Sequence, residues 1–357
     1  MSEEQILIWL SMFDFMTAKK FHTLIDYYKN PKKIYEAFLK SDNVLTQMFK
    51  IDQIEQMVEK AECQYVNNYI TNLNQSGVTI ITYDDIRYSR LLKQTNDYPF
   101  VLYAKGNLEL LNTKCLAVVG TRNPSNYGKT VTYDMVKALA RSGLTIVSGM
   151  ATGIDSIAHK ASLEIGGNTI AVLGSGFNNI YPKMNENLAN EISKKGLLIS
   201  EYSPNMHAQK YSFIARNRII AGLSDAIFIP EASKNSGSLH TKEYAYDYNR
   251  GVYALPGNIN SSVSEGTNML IASSQAQCVL NYNDILKDYG IEDRRIKQVY
   301  QLDIEQQKIL DCLKNEPLTF DFLQIKTEIE PKKLNSYLTT MTIRGIIKKL
   351  PGNLFSK

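Results

Sequence analysis

The chain has 357 residues, 44% of them hydrophobic and 21% charged, with a formal net charge of +4. That length predicts two or three domains, and the composition is that of a globular protein with a sizeable core. So small a charge neither demands nor excludes nucleic acid, leaving a local basic patch to carry any such argument.

Cys63, Cys115, Cys278 and Cys312 form no CxxC pair, and His22, His159, His207 and His240 show no HExxH or other ligand spacing. A disulfide framework and a metal site are therefore not expected, and a reducing compartment is. Met1 to Glu4 is polar and acidic, unlike a signal peptide. No apolar run approaches the ~20 residues of a membrane span. A cytoplasmic protein without membrane association is expected.

The first 75 residues read as a helical domain. Ile6, Leu7, Leu10 and Phe13 share one face, Phe21, Leu24 and Ile25 repeat the spacing, and Pro31 sits where a new helix can start. From Val78 the period changes. Val78–Thr82 and Phe100–Tyr103 are β-branched or aromatic runs. Six further apolar strands alternate with helical patterns: Cys115–Val119, Leu144–Val147, Thr169–Leu173, Leu197–Ile199, Ala226–Ile229 and Val252–Leu255. Strands buried on both faces and separated by helices predict an α/β, Rossmann-like, doubly wound and mainly parallel sheet over residues 76–290. A charged linker is expected at 291–302. Over 303–357, three helical patterns and a hairpin around Pro351-Gly352-Asn353 have the order of a winged helix.

Two motifs fail on spacing. Gly120 and Gly128-Lys129-Thr130 suggest a P-loop, but seven residues separate the glycines where the phosphate cradle needs four. Gly174-Ser-Gly176 opens a GxGxxG pattern that ends on Asn179, and Pro182 delays the helix meant to receive a pyrophosphate. ATP hydrolysis, and a nicotinamide or flavin cofactor, are therefore not expected; none is implied.

The predicted strand ends are rich in small residues: Gly120-Thr121-Arg122, Ser148-Gly149 through Gly153, Gly174-Ser-Gly176 and Ser236-Gly237-Ser238. Any one of these is an ordinary βα turn. Four on one sheet edge, with an arginine in the first, point to phosphate. Lys210, Phe213, Arg216, Asn217 and Arg218 add cations and a ring, the combination that holds single strands without reading sequence. Pattern leaves an alternative: Phe213 is a core ring and one arginine a structural ion-pair partner, because a spacing of two on a helix splays them apart. From Pro331 onward Lys332, Lys333, Arg344, Lys348, Lys349 and Lys357 stand with no acid among them. They are either a duplex-contacting surface or the solvated face of a protein-contacting module.

At these residues the chain resembles the DNA-processing protein A (DprA/Smf) family. The resemblance covers Tyr83 to Leu286 and rests on Val119-Gly-Thr-Arg122, Ser148-Gly-Met-Ala-Thr-Gly-Ile-Asp155 with His159, and Ile180-Tyr-Pro182. It continues through Ser200-Glu-Tyr202, Arg216-Asn-Arg-Ile-Ile-Ala-Gly-Leu-Ser224, Ser236-Gly-Ser-Leu239 and Leu255-Pro-Gly257. It implies an extended Rossmann-like domain that forms a homodimer and binds single-stranded DNA, and the loading of RecA recombinase during natural transformation. It further implies a DNA pocket of Arg122, Lys210, Phe213, Arg216 and Arg218, and an N-terminal SAM or helix-hairpin-helix-like domain. Thr152 stands where the family usually has arginine, Ile214 replaces a common proline, and His240 and Lys242 interrupt an Ile-Thr-Ala stretch. The N-terminal segment lacks glycines around Ser11 to Thr17.

Two other classes compete with this non-enzymatic reading. A phosphoribohydrolase-like enzyme would need a PGGxGT loop and a catalytic glutamate, but Pro230 precedes Glu231-Ala-Ser233 and Glu243 is the nearby acid. A transcription regulator would act through the winged helix on one particular duplex.

Overall fold

The computed structural model describes residues 1–291, 302–314, 316–343 and 346–356. It divides into two compact units, Met1–Asp293 and Arg294–Lys357. Most of the expected 291–302 linker lies outside the described residues.

The first unit opens with six helices: α1 (Glu3–Ser11), α2 (Ala18–Tyr28), α3 (Pro31–Leu39), α4 (Asn43–Met48), α5 (Ile51–Glu59) and α6 (Cys63–Gln75). Their starts follow from local chemistry. Ser2 and Gln5 form a capping box on α1, Thr17 caps α2, and Asn30 caps α3 with Pro31 in its first turn. Trp9 is the centre of their core, edge-on to Tyr35 and Phe38 at 5.5 and 5.4 Å, with its indole N–H donating to Met57 O.

The chain then forms β1 (Thr79–Thr82), α7 (Arg90–Lys93), β2 (Val101–Gly106), β3 (Cys115–Val118), α8 (Asn126–Arg141), β4 (Thr145–Ser148) and α9 (Ile154–Glu164). It continues with β5 (Thr169–Leu173), α10 (Glu186–Lys195), β6 (Leu197–Ser200), α11 (Lys210–Leu223), β7 (Ala226–Ile229) and α12 (Ser238–Asp247). The unit closes with β8 (Gly251–Ala254), α13 (Glu265–Ala272), β9 (Gln277–Cys278) and α14 (Tyr282–Asp288). The strands form one sheet in the order β1-β2-β6-β5-β4-β3-β7-β8-β9. From β6 to β9 every neighbour is parallel, while β1 and β2 add an antiparallel edge. The central strands β3 to β7 are buried throughout, as their mainly apolar runs require when helices cover both faces; polar residues stand only at strand ends.

Residue 75, the boundary expected from sequence, falls inside this unit. Phe21 of α2 stacks on Phe100 at 4.3 Å, and Tyr103 of β2 bonds Ser11 through their hydroxyls at 2.8 Å. The helices and the antiparallel edge thus share one core.

The second unit contains α15 (Ile304–Cys312), β10 (Leu318–Thr319), α16 (Phe320–Thr327), α17 (Pro331–Ile343), β11 (Lys348–Leu350) and β12 (Leu354–Ser356). The three expected helices and the hairpin are present. A short strand that sequence pattern did not show, β10, pairs with β12, giving the order β10-β12-β11. Gly352 and Asn353 turn the hairpin in the left-handed region, at φ 80° and 56°. Ile309, Leu323, Leu334 and Met341 form its core.

Candidate nucleic-acid interface

The chain runs from β3 toward one sheet edge through β4, β5 and β6, then returns to build β7, β8 and β9 on the other side. The switch point lies between β3 and β7, where open parallel sheets leave a crevice beyond the strand ends. A cleft of about 400 Å³ opens there, lined by Arg122, Phe213, Arg216, Asn217, the Ser236–Ser238 loop and Thr241.

The loop after β3 is pinned by backbone. Thr121 N–H donates to Glu231 O at 2.8 Å, and Thr121 O accepts from Ile154 N–H at 3.2 Å. Arg122 is exposed at the mouth, and no side-chain hydrogen bond or ion pair holds it among the described residues. The α8 N-terminus nearby is already filled. Buried Glu231 accepts from Ser125 N–H at 2.9 Å and from Ser125 Oγ at 2.5 Å, and a Cβ on Gly128 would lie 2.0 Å from its carboxylate. A carboxylate in that position satisfies the helix end that a phosphate would otherwise seek.

The loop after β4 differs from expectation. Ser148 is fully buried and donates to Val118 O at 2.6 Å, and Gly149 and Ala151 donate their N–H groups to Asp155 at 3.1 and 3.3 Å. These groups are therefore not bare amides awaiting an anion; an acid of the first turn of α9 takes them. Burial pushes the Asp155 carboxyl up from its ordinary range, opposed by Arg216 and by the Ala151 and Gly149 amides. The loop after β5 supports a ring instead of a phosphate. A Cβ on Gly174 would come within 2.8 Å of Phe213, and Ser212 Oγ donates to Gly174 O at 2.5 Å. Gly174 is thus the floor on which Phe213 rests. That ring also meets Tyr181, with centroids 5.3 Å apart.

The loop after β7 is the most open. Gly237 is exposed and begins α12 without a side-chain cap, while the hydroxyls of Ser236 and Ser238 lie 2.8 Å apart. Thr241, one turn further on, is 1% exposed and its hydroxyl has no hydrogen-bond partner among the described residues. A buried hydroxyl left unpaired beside a helix N-terminus is suited to an anionic oxygen.

Helix α11 carries the basic residues and separates them. Lys210 is exposed in its first turn and Phe213 is half-buried at the cleft. Arg216 is buried; its Nη1 donates to the carbonyls of Gly149 and Val172, and its Nε to Asn217 Oδ1 at 3.2 Å. Burial draws its pKa down to about 10, with Asp155 opposing, so it remains a cation at neutral pH. Gly149 is required beneath it, since a Cβ there would sit 2.5 Å from the guanidinium. Arg218 is not brought to this cleft. It is buried elsewhere, with Nη2 on Glu201 and Nε 3.7 Å from Asp97. The spacing of two residues does splay the pair.

Thr152 borders a smaller cavity of about 90 Å³ between Arg122, Tyr181 and Phe213. Ile214 is exposed on the cleft, and Lys242 is held by Glu243 at 2.6 Å. Sequence reading gave no role to Glu231, Asp155 or Tyr181. An acid in the first turn of α9 was the available signal for Asp155; Glu231 and Tyr181 depend on long-range packing. In the second unit Lys332, Lys333, Lys348 and Lys349 are all exposed. Lys333 pairs with Glu305 at 2.5 Å, and Lys349 lies over the Phe355 ring at 5.8 Å. Arg344 lies outside the described residues. Among the described residues no cluster of three His, Cys, Asp or Glu could hold a metal, and no helix is long and apolar enough to cross a membrane.

The family model of DNA recombination-mediator protein A matches residues 79–290. The chain is 32% identical to Protein Smf of Synechocystis, covering 84% of this chain and 86% of that protein. It is 39% identical to DNA processing protein DprA of Bacillus subtilis, covering 60% and 72%. The X-ray structure of DprA from Streptococcus pneumoniae superposes with a TM-score of 0.58 at 35% identity, over 71% of this chain and 91% of that one. DNA processing protein A from Helicobacter pylori, whose structure concerns a single-stranded DNA binding mode, gives 0.54 at 35% identity, over 59% and 95%.

Proposed function

We propose, from the premise that this chain belongs to the DNA recombination-mediator protein A family, that it binds single-stranded DNA in the switch-point cleft and does no covalent chemistry there. The observation that carries this reading is the meeting of three unlike groups in one cleft. They are the cation of Arg122, unpaired among the described residues, the half-buried ring of Phe213 and the uncapped Ser236–Ser238 turn above Thr241. A cation and a helix end suit phosphate, and a ring suits a base; a nucleotide offers both, and a strand with splayed bases offers them repeatedly, which suits a basic track that continues beyond the cleft. The DprA structure from Helicobacter pylori, with its single-stranded DNA binding mode, supports the same polymer. Lys210 extends the basic track at the start of α11, and buried Arg216 shapes the cleft floor more than it grips.

The family supports the further steps: a homodimer that coats incoming DNA and loads RecA recombinase onto it during natural transformation, in a cytoplasmic setting. The second unit, three helices and a hairpin with Lys332, Lys348 and Lys349 exposed, fits a winged helix that touches duplex DNA. The six N-terminal helices fit the family's SAM or helix-hairpin-helix-like domain. For the enzyme alternative, Glu231 is bonded to Ser125 and Glu243 is exposed and paired with Lys242, so neither acid is presented to the cleft.

The deciding experiment compares labelled single strands and duplexes by anisotropy over a salt series, using the full chain and a chain ending at Tyr289. Tight, salt-sensitive single-strand binding retained by the shorter chain is expected. Binding that vanishes with the second unit would transfer the activity there. Acceleration of RecA filament growth on coated strands tests the mediator step.

A further inference from the structure

A second cleft, of about 360 Å³, lies on the other face of α11. Tyr211, Ala215 and Arg218 line it at spacings of four and three, whereas Phe213, Ile214 and Asn217 face the first cleft. Glu201 and Tyr202, just beyond β6, form another side, and the α1–α2 connection around Asp14 closes it over. That connection is the glycine-poor stretch Ser11 to Thr17, for which phosphate contact through a hairpin has no glycine support.

Arg218 makes this cleft more than a gap in packing. Its side chain is only 9% exposed, Nη2 pairs with Glu201 and Nε lies near Asp97, yet Nη1 has no hydrogen-bond partner among the described residues. A guanidinium that lines the cleft with one N–H unpartnered keeps donor capacity that an acceptor in the cleft would satisfy. The charges limit what that something is. Asp14, Asp97 and Glu201 outnumber Lys19 and Arg218 in the lining, which disfavours a phosphate or carboxylate. Tyrosines and phenylalanines suit a flat ring. The Arg218–Glu201 pair sets a donor beside an acceptor, complementary to adjacent C=O and N–H groups.

We propose that this cleft binds an uncharged nucleobase or nucleoside with a carbonyl next to a ring N–H, as in thymine, uracil or guanine. The carbonyl accepts from the Arg218 guanidinium and the N–H faces Glu201. The base comes either from a free nucleoside or from a strand that has passed around α11. The proposal does not rest on the reading of the first cleft.

The test is titration of the full chain with thymidine, followed by saturation-transfer NMR and calorimetry. Saturable binding is expected, weaker for thymidine monophosphate because of its charge, and weaker for adenosine, which lacks the C=O/N–H edge. Arg218→Ala strips Glu201 of its partner and risks unfolding, so the decisive variant is Ala215→Phe, which fills the cleft from the α11 side. It should abolish thymidine binding while leaving the thermal transition in place. Tyr211→Ala should weaken thymidine binding by about tenfold, the scale of a lost aromatic neighbour. Displacement of thymidine by excess oligo-dT assigns the base to the strand, and simultaneous binding assigns it to a free nucleoside. No saturable binding, or binding untouched by Ala215→Phe, overturns the proposal.

Discussion

Arg216 and Arg218 sit two positions apart on α11 and are buried against different partners: Arg216 on the carbonyls of Gly149 and Val172, Arg218 on the carboxylate of Glu201. The first ties together the ends of β4 and β5. The second belongs to another cleft. Basic residues that look like one cluster in sequence are therefore divided by the helix: the arginine pair is structural, Arg122 is the exposed cation lining the switch-point cleft, and Lys210 is exposed at the start of α11.

Arg122→Ala should weaken single-strand binding without moving the thermal transition, because the side chain is exposed and unpaired among the described residues. If it contacts one phosphate, the log–log salt slope becomes shallower by ~0.7. Anisotropy at several salt concentrations measures both; an unchanged slope removes Arg122 from the interface.

Phe213→Ala should cost ~1–3 kcal/mol of binding if its ring stacks on a base. The ring also rests on Gly174 and meets Tyr181, so a modest drop in stability accompanies it. Phe213→Tyr keeps the ring and should restore affinity. A variant that melts lower yet binds equally well would make Phe213 a packing residue.

Arg218→Ala should destabilise the fold by about 3–5 kcal/mol, because it leaves Glu201 buried without its partner. Removing both, in Arg218→Leu with Glu201→Leu, should recover much of that loss. Denaturant midpoints of the two singles and the double give the coupling; additive losses would contradict a paired role.

Stability should also fall in mild acid through His159. Burial, then the nearby Arg216, lowers its pKa from 6.5 to about 3. Its Nδ1 contacts Thr169 Oγ1 at 2.7 Å, and Nε2 has no partner among the described residues. The unfolded chain takes up a proton near pH 6.5 and the folded chain does not. The contribution is therefore whole above 6.5 and declines toward pH 3, by at most ~1.4 kcal/mol per pH unit. Asp155 acts in the opposite sense: its raised pKa favours the fold below its unfolded value and loses that effect as pH rises through the folded one. Urea midpoints at pH 7.5 and 5.5 should differ less in His159→Asn than in the parent chain; equal differences would discount the histidine.

The doubly wound sheet was legible in the sequence because central strands buried on both faces are mostly apolar, as Cys115–Val118, Ile170–Leu173 and Ala226–Ile229 are. The glycine-rich strand ends were legible for the same local reason, and a cleft opens at their rim. Whether those ends were vacant could not be read. Glu231 fills the α8 N-terminus from 106 residues away, and Asp155 takes the amides of Gly149 and Ala151. Pattern reports which groups can bind an anion, and only packing decides which have already found one.

The sequence by itself therefore determined the alternation of strand and helix, the small-residue rim and the cations near it, since each follows from neighbours along the chain. The tertiary structure alone decided that Arg216 and Arg218 are buried, that the Thr241 hydroxyl at the cleft has no partner among the described residues, and that the first 75 residues share a core with β2. The physical reason is that satisfying a buried polar group depends on what the fold carries to it across space, and sequence spacing does not encode that distance.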